Sequence, residues 1–280
     1  MSSVLRVVHT TAFEYAEPIT ASYNEARMTP VSGGLQVVEQ ASVRVHPTTW
    51  SHDYTDYWGT TVTVFEVLEP HVRLVLRAHS TVEVREQAAP AAPPSWTDLG
   101  DERTLDAHAA FLADTPTTAV PDDVAALALD VSAGLEPHAA AEAVCLAVRD
   151  HLDYVPGVTT AHTPAREAWD ARQGVCQDMA HLCAGALRSV GIPTRYVSGY
   201  LHPRPDAAFG EPVAGESHAW VEWWAGGWYG FDPTNRRPVG HDHVVLGRGR
   251  EYRDVAPLTG VYAGAGASEL DVTVEITRLR

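Results

Sequence analysis

The sequence contains no lysine, and all 20 of its basic residues are arginine. A Walker-type phosphate loop, a Schiff-base enzyme and a serine–lysine dyad each need a lysine side chain, so the composition excludes these three kinds of site. Acidic residues outnumber basic residues by 36 to 20, which gives a net charge of −16. Because nucleic acids and anionic membrane surfaces are bound through a basic face, we expect neither as a partner.

Cysteine and long apolar segments are also scarce. The three cysteines, Cys145, Cys176 and Cys183, cannot form a framework of disulfides, so we expect free thiols. No apolar run approaches the roughly 20 residues that cross a bilayer. The first residues, MSSVLRVVHTT, lack the charged and apolar regions of a signal peptide. These observations predict a cytoplasmic protein.

Two hydrophobicity patterns divide the chain. Residues 1–85 alternate apolar and polar positions in short segments separated by proline, glycine and asparagine, which is typical of β-strands. We predict an N-terminal antiparallel domain that resembles a β-sandwich. Residues 86–100 begin with EQAAPAAPP, which indicates a semi-rigid linker. Residues 101–280 open with helical patterns and continue with strands, so the predicted fold class is α+β.

The segment GVCQD begins a predicted helix that starts near Cys176 and ends before Gly191. Cys176 lies at the N-terminal end of the apolar stripe of this helix. The positive helix end stabilises a thiolate, and its unpaired backbone N–H groups can hold an oxyanion. Gly174 permits a close backbone approach. A small buried apolar side chain is the alternative for Cys176, and it is our interpretation of Cys145 and Cys183.

Two tryptophan-rich segments, SHAWVEWW and WYGFD, flank a glycine turn and predict a β-hairpin. A turn centred on Gly226 puts Asp232 opposite Trp220 and diagonal to His218, within reach of a carboxylate–imidazole hydrogen bond. A thiol nucleophile needs such a pair, because the imidazole shares the thiol proton and the carboxylate fixes the imidazole tautomer. Each residue taken singly also has a structural interpretation. His218 is then a core histidine, and Asp232 is a turn residue.

Together, the segments GVCQD, SHAWVEWW and WYGFDPTN resemble the transglutaminase-like superfamily, which includes bacterial proteins classed as cysteine proteases. The likeness extends over residues 184–200, and FEY, NEARMTP and DYWG resemble the bacterial transglutaminase-like N-terminal domain. The resemblance implies a papain/transglutaminase-like core, in which the cysteine-bearing helix packs on an antiparallel sheet. It also implies that Cys176 is the nucleophile, His218 the base and Asp232 the orienting acid.

The oxyanion-binding side chain is not defined by the sequence. The residue six positions before the cysteine is Asp170, where a papain-type enzyme has glutamine. Gln173 and Gln177 are the alternative donors. The backbone N–H of Cys176 is the donor that we expect.

The remaining polar and aromatic candidates are weaker. We interpret the HDH segment at 241–243 as a solvated loop, because no further ligands follow at metal-site spacing. No EF-hand loop is present, so no calcium dependence is expected, and we predict no cofactor and no metal. Tyr154, Tyr200 and Trp220 are candidates for the walls of a cleft.

These features predict thiol-dependent acyl transfer on amide or peptide bonds through a thioester, with a peptide or protein amide as substrate. Water as acceptor gives a protease or amidase, and an amine gives a cross-linking enzyme. We favour hydrolysis because nothing marks a site for a lysine acceptor. A non-catalytic, partner-binding scaffold on the same fold is the main alternative, and an acetyl-group transferase with a similar Cys-His-Asp set is another.

Overall fold

In the computed structural model, which describes residues 2–204, 206–265 and 268–280, the chain forms fifteen strands and six α-helices. The strands are β1 Ser2–Ile19, β2 Ala21–Ala26, β3 Gln36–His46, β4 Trp50–Thr55, β5 Thr61–Val67, β6 His71–Arg85, β7 Asp153–Tyr154, β8 Gln173–Gly174, β9 Thr194–Leu201, β10 Pro212–Trp224, β11 Trp228–Asp232, β12 Arg237–Pro238, β13 His243–Gly249, β14 Leu258–Ala263 and β15 Ser268–Arg278. The helices are α1 Trp96–Leu99, α2 Glu102–Leu112, α3 Asp122–Ser132, α4 Pro137–His151, α5 Ala165–Ala171 and α6 Cys176–Ser189, with a 3₁₀ turn at Tyr252–Asp254. Among the described residues, no helix has both the length and the apolar character that crossing a bilayer requires.

One long strand, β10, joins the two halves of the largest sheet. This sheet has the order β12-β11-β10-β15-β1-β6-β3, with β9 beside β10 and β13 beside β9. Residues 212–215 of β10 pair with β15, and residues 216–223 pair with β9. The strand that carries His218 is therefore held by the N-terminal sheet at one end and by the core sheet along the rest.

The N-terminal part is antiparallel, as predicted. A second sheet, in the order β14-β2-β5-β4, packs against the large sheet through a core that includes Ile19, Phe65 and Leu76. The N-terminal sheets differ in one respect from the domain predicted for residues 1–85. They also contain the last two strands of the chain, since β14 pairs with β2 and β15 pairs with β1. The last two strands thus complete the N-terminal sheets, although they follow the core in sequence.

The proline- and alanine-rich segment after β6 is fixed to the core. Residues 86–95 form neither helix nor strand, and α1, which lies within the predicted linker of residues 86–100, follows directly. The side chain of Gln87 exchanges two hydrogen bonds with the backbone of Gly230, at 2.9 and 2.7 Å. Gln36 binds the backbone of Val245 in the same paired manner, at 2.8 Å for each bond. Two amide side chains therefore tie the N-terminal half to the core sheet.

Helix α6 lies at the centre of the core. It starts at Cys176 and ends before Gly191, as predicted. Helices α3, α4 and α5 contribute to the same apolar cluster as α6, together with strands β9, β10 and β11. Because α6 is covered from all sides, Asp178 and His181 are buried as well as its apolar stripe. The Nε2 atom of His181 accepts a hydrogen bond from the backbone N–H of Tyr252, and burial lowers the pKa of His181 to about 3.

The close packing of α6 leaves no room for a side chain at Gly185. A Cβ atom at Gly185 would lie 2.0 Å from the carbonyl oxygen of Thr118. Alanine in place of glycine stabilises an exposed helix by up to about 1 kcal/mol, but here the overlap reverses the sign. We expect Gly185→Ala to lower the free energy of unfolding by about 1–3 kcal/mol in denaturant titrations. At Gly227 an added Cβ meets nothing within 4 Å, so Gly227→Ala is the control, and equal losses in the two variants would contradict the packing argument.

Candidate active site

Cys176 occupies the first position of α6 and is half-buried. The start of the helix is fixed by Asp178, whose Oδ2 atom accepts the Val175 N–H at 2.8 Å and the Thr159 hydroxyl at 2.6 Å. A Cβ atom at Gly174 would lie 2.8 Å from the Cβ atom of Asp178. The close approach expected at this glycine is therefore made to the capping carboxyl group, which sets the direction from which the chain enters the helix.

His218 and Asp232 meet across the predicted hairpin. Trp224 pairs with Trp228, so the turn is centred on Gly226, as expected. The Nε2 atom of His218 lies 2.7 Å from the Oδ2 atom of Asp232, which is hydrogen-bond distance. The predicted imidazole–carboxylate pair is thus formed.

The Cys176 thiol lies close enough to the same imidazole to affect its pKa. Burial alone lowers the pKa of an imidazole, but the hydrogen bond to Asp232 and the interaction with Cys176 outweigh burial and raise the pKa of His218 to about 10. Burial raises the pKa of a carboxyl group. At Asp232 the hydrogen bonds from two histidines outweigh burial and hold the pKa well below its usual range. The buried carboxylate of Asp232 therefore favours the protonated form of the His218 imidazole.

Asp232 has three further contacts that the sequence did not reveal. The Nε2 atom of His243 lies 3.2 Å from Oδ2 of Asp232. Asn235 donates its side-chain N–H to Oδ2 at 2.7 Å and its backbone N–H to Oδ1 at 3.1 Å. On the far side, Nδ1 of His243 is 2.8 Å from Asp242, which in turn pairs with Arg237 at 2.6 Å. The carboxylate of Asp232 is thus held from three directions.

The interpretation of residues 241–243 as a solvated loop was wrong for His243. This side chain is fully buried and begins β13, whereas His241 lies at the surface and pairs with Glu86 at 2.7 Å. Two valines follow His243, and such an apolar pair is the sequence signal that indicates a strand. The burial arises because β13 pairs with β9 in the large sheet.

His218, Asp232 and His243 also offer three metal-ligand atoms within 4.8 Å of one another. Two ligands of a tetrahedral zinc ion are about 3.3 Å apart, given metal–ligand distances near 2.0 Å. The 2.7 Å between His218 and Asp232 is shorter than this spacing and is that of a hydrogen bond. We therefore interpret the cluster as a hydrogen-bonded network.

A cleft of about 430 Å³ opens beside His218. Tyr154 lies in its wall, which confirms the prediction for this residue. Burial, followed by the charges of Cys176 and Glu216, raises the pKa of Tyr154, so the phenol lies near the sulfur. Other lining residues are Arg149, Leu201, Pro203, Thr234 and Asn235.

The predictions for Tyr200 and Trp220 as cleft residues were wrong. Both side chains are fully buried, because β9 and β10 are central strands whose faces are covered. The Tyr200 hydroxyl is 2.8 Å from Nδ1 of His9, on the N-terminal sheet. Trp220 packs edge-on against His243, with ring centroids 5.3 Å apart. Trp220 therefore supports the site from behind.

Both remaining cysteines are buried, whereas neither candidate glutamine is. Cys145 and Cys183 are buried free thiols, as expected, and burial raises the pKa of Cys145. Gln173 is exposed, and the side chain of Gln177 donates to the carbonyl of Thr160 at 3.4 Å. An oxyanion role for either glutamine stays a prediction.

Comparison with known proteins shows the family to which the chain belongs. The model of the transglutaminase-like superfamily matches residues 125–233, and that of the bacterial transglutaminase-like N-terminal region matches residues 5–83. The chain belongs to the transglutaminase-like superfamily.

Its relatives include an uncharacterized protein of Mycobacterium leprae, 46% identical over 98% of this chain and 99% of the relative. Another, from Mycobacterium bovis, is 32% identical over 97% of this chain and 91% of the relative. A crystal structure described as a "putative cysteine protease" from Cytophaga hutchinsonii has a TM-score of 0.78 at 20% identity, covering 100% of this chain and 92% of that one. At this identity it shows the fold, and it confirms the predicted α+β class.

The raised pKa of His218 predicts how stability depends on pH. An unfolded histidine has a pKa near 6.5, while that of His218 is about 10 in the fold. The stabilisation from this proton is therefore complete below pH 6.5 and is lost as pH rises through 10, by at most about 1.4 kcal/mol per pH unit.

Denaturant titrations between pH 7 and 10 test this dependence. The difference in free energy of unfolding between wild type and His218→Gln should become smaller as the pH rises. His162→Gln, at an exposed histidine, is the control and should parallel wild type. A constant gap for His218→Gln would contradict the assignment.

Proposed function

We propose that the protein is a thiol-dependent acyl-transfer enzyme acting on amide or peptide bonds, with Cys176, His218 and Asp232 as its catalytic triad. The observation that supports this proposal most strongly is the pair of His218 and Asp232 beside Cys176. The imidazole lies 2.7 Å from Asp232, and the nearby Cys176 thiol contributes to the raised pKa of His218. An imidazolium held between a thiolate and a buried carboxylate is the resting state that such chemistry needs.

The reaction proceeds in two halves. The sulfur of Cys176 attacks the amide carbonyl carbon, and the carbonyl π-electron pair moves to oxygen to form a tetrahedral oxyanion. His218 gives its proton to the leaving nitrogen, the C–N bond breaks, and an acyl thioester remains on the sulfur. The now neutral imidazole then takes a proton from water, which attacks the thioester and releases a carboxylic acid and the thiolate. Asp232 keeps the ring orientation through both halves.

The start of α6 supplies the groups that would stabilise the oxyanion. The first backbone N–H groups of a helix have no intrahelical partner, and Cys176 is at the first helical position. Its own backbone N–H is the donor that we assign to this role. The cleft lined by His218 and Tyr154 is the route by which we expect the scissile bond to approach the sulfur.

Water is the acyl acceptor that we favour. An amine acceptor needs a second recognition site, and nothing in the chain marks one. The enzyme is then a protease or amidase, and cross-linking would be the minor reaction.

The proposal is tested with a mixture of peptides that carry glutamine and terminal carboxamides, with and without a primary alkylamine. Mass spectrometry of the products should show acids with the wild type and none with Cys176→Ala. Amine adducts that exceed the acids would reassign the acceptor and identify a transglutaminase. Failure of every donor, together with capture of the same partner by wild type and Cys176→Ala, would favour the scaffold function.

A further inference from the structure

A second cavity, which shares no lining residue with the cleft, lies between the N-terminal sheet and the core. Its volume is about 440 Å³. Gln36 and Trp58 line it from the N-terminal half, and Arg195, Arg248 and Glu222 line it from the core. His243, which contacts Asp232, lies in the same wall, but the proposed chemistry does not use the cavity.

Two arginines in this cavity share one carboxylate. Arg248 donates hydrogen bonds from Nε and Nη2 to the carboxylate of Glu222, at 3.0 to 3.3 Å. Arg195 donates to Oε2 of the same carboxylate through Nε and Nη2. Within the described residues, no hydrogen bond joins the Nη1 atom of either arginine to another group. Each guanidinium therefore keeps a donor nitrogen for a further acceptor.

The cluster carries one positive charge in excess. The side chains of Arg195, Arg248 and Glu222 are 15, 21 and 8% exposed, so the excess charge is poorly solvated. Burial lowers the pKa of Arg195 to about 10, although Glu222 opposes the change. Glu222 is the one carboxylate among the described residues that line the cavity, and the carboxylates next to that lining are paired elsewhere, Asp232 with His218, Asp242 with Arg237 and Glu86 with His241. Buried charges in proteins are normally paired, so the cavity is suited to an anion.

The other walls are aromatic and apolar. Trp228 stacks under the guanidinium of Arg195 at 4.1 Å from its ring centroid, and Trp58, Val84 and Val239 complete the lining. An apolar groove formed by residues 88–92 and 225–229 adjoins the cavity and shares Trp228 with it. An occupant would therefore place its charge at the arginines and its apolar part against the tryptophans.

We propose that this cavity is a binding site for a small carboxylate monoanion with an apolar or aromatic body. One negative charge matches the single excess positive charge. A planar carboxylate also fits the free guanidinium nitrogens better than a compact point charge. The site is separate from the cleft in which the proposed acyl transfer would occur, so binding can be measured without any substrate.

The test compares three ligands by calorimetry and by thermal denaturation of the wild-type protein. The probe is 3-phenylpropanoate. The neutral analogue 3-phenylpropanol lacks its charge, and propanoate lacks its ring. We expect saturable binding of 3-phenylpropanoate with a rise in Tm, and at least tenfold weaker binding of the two analogues.

A pair of arginine variants locates the site. Arg248→Gln removes the excess charge and leaves the pair of Arg195 with Glu222, so affinity for 3-phenylpropanoate should fall at least tenfold. Arg77→Gln makes the same charge change on the exposed face of the N-terminal sheet and should leave affinity unchanged.

Equal binding of the acid and the alcohol, or no binding of the acid, would overturn the proposal in the wild-type protein alone. It would also be overturned if Arg77→Gln weakened binding as much as Arg248→Gln, because net charge would then be the cause. None of these outcomes depends on whether Cys176 is catalytic.

Discussion

The His218→Ala variant is expected to react with iodoacetamide at Cys176 about 30-fold more slowly than wild type at pH 7. The reacting species is the thiolate, and we propose that the positive charge of His218, whose pKa is raised to about 10, stabilises it. Without that charge, an ordinary cysteine thiol with a pKa near 8.5 is only about 3% ionised at pH 7, which sets the expected factor. Mass spectrometry of the modified Cys176 peptide over time gives the rate.

Two comparisons make this experiment specific. At pH 9.5 the alkylation rates of the variant and wild type should differ less than at pH 7. An ordinary cysteine thiol is largely ionised at that pH, even in the absence of the His218 charge. His162→Ala removes an exposed histidine and should react like wild type. Rates for His218→Ala within twofold of wild type at pH 7 would show that the imidazole does not activate the sulfur.

The Asp232→Asn variant should lose both stability and reactivity. The carboxylate is fully buried and accepts hydrogen bonds from His218, His243 and Asn235. In an asparagine at this position, the NH2 group cannot accept the hydrogen bonds that the carboxylate accepts. The negative charge that favours the protonated His218 imidazole is also lost. We expect the free energy of unfolding at pH 7 to fall by about 3 kcal/mol or more, because one partner of a buried ionic network is removed.

The reactivity of Cys176 in the folded Asp232→Asn protein should approach that of His218→Ala. The matched control is Asp150→Asn, whose carboxylate is 63% exposed and pairs with Arg236 at the surface. That change should cost less than about 1 kcal/mol. Similar stability losses in the two variants, with an unchanged alkylation rate for Asp232→Asn, would remove Asp232 from the triad.

The parts of the site that could be predicted from the sequence are those set by local geometry. The period of a strand and a turn centred on Gly226 were enough to place Asp232 near His218. Helix-stop signals at Gly191 defined α6 from its far end. That Cys176 meets His218 depended on the resemblance to a family, because no local pattern specifies a contact between segments 42 residues apart.

The parts that the sequence did not predict depend on long-range pairing. The sequence indicated short, separate strands in residues 1–85, but β6 runs unbroken over His71–Arg85, since β1 pairs with nearly all of it and β3 with residues 75–84. Strand β4 is exposed along its whole length and lacks an apolar alternation, so it was not predicted. The return of β14 and β15 to the N-terminal sheets is likewise a tertiary choice.

Burial of polar and aromatic groups near the site was underestimated for the same reason. His243 reads as part of a polar HDH segment, yet β13 joins the sheet and places it against Asp232. Tyr200 and Trp220 become buried because β9 and β10 have strands on both sides. A single strand pattern cannot distinguish a central strand from an edge strand, and that distinction decides whether a side chain lines a cleft.

The central claim is that Cys176 forms a covalent acyl intermediate with His218 as its proton carrier. The most direct measurement is mass spectrometry of the protein, quenched in acid during turnover of a peptide amide that it cleaves, followed by mapping of the modified peptide. The acyl mass of the substrate should be found on Cys176 in the wild type, and no such adduct should form in Cys176→Ala. Accumulation of product with the acyl group on another residue, or equally in Cys176→Ala, would contradict the account.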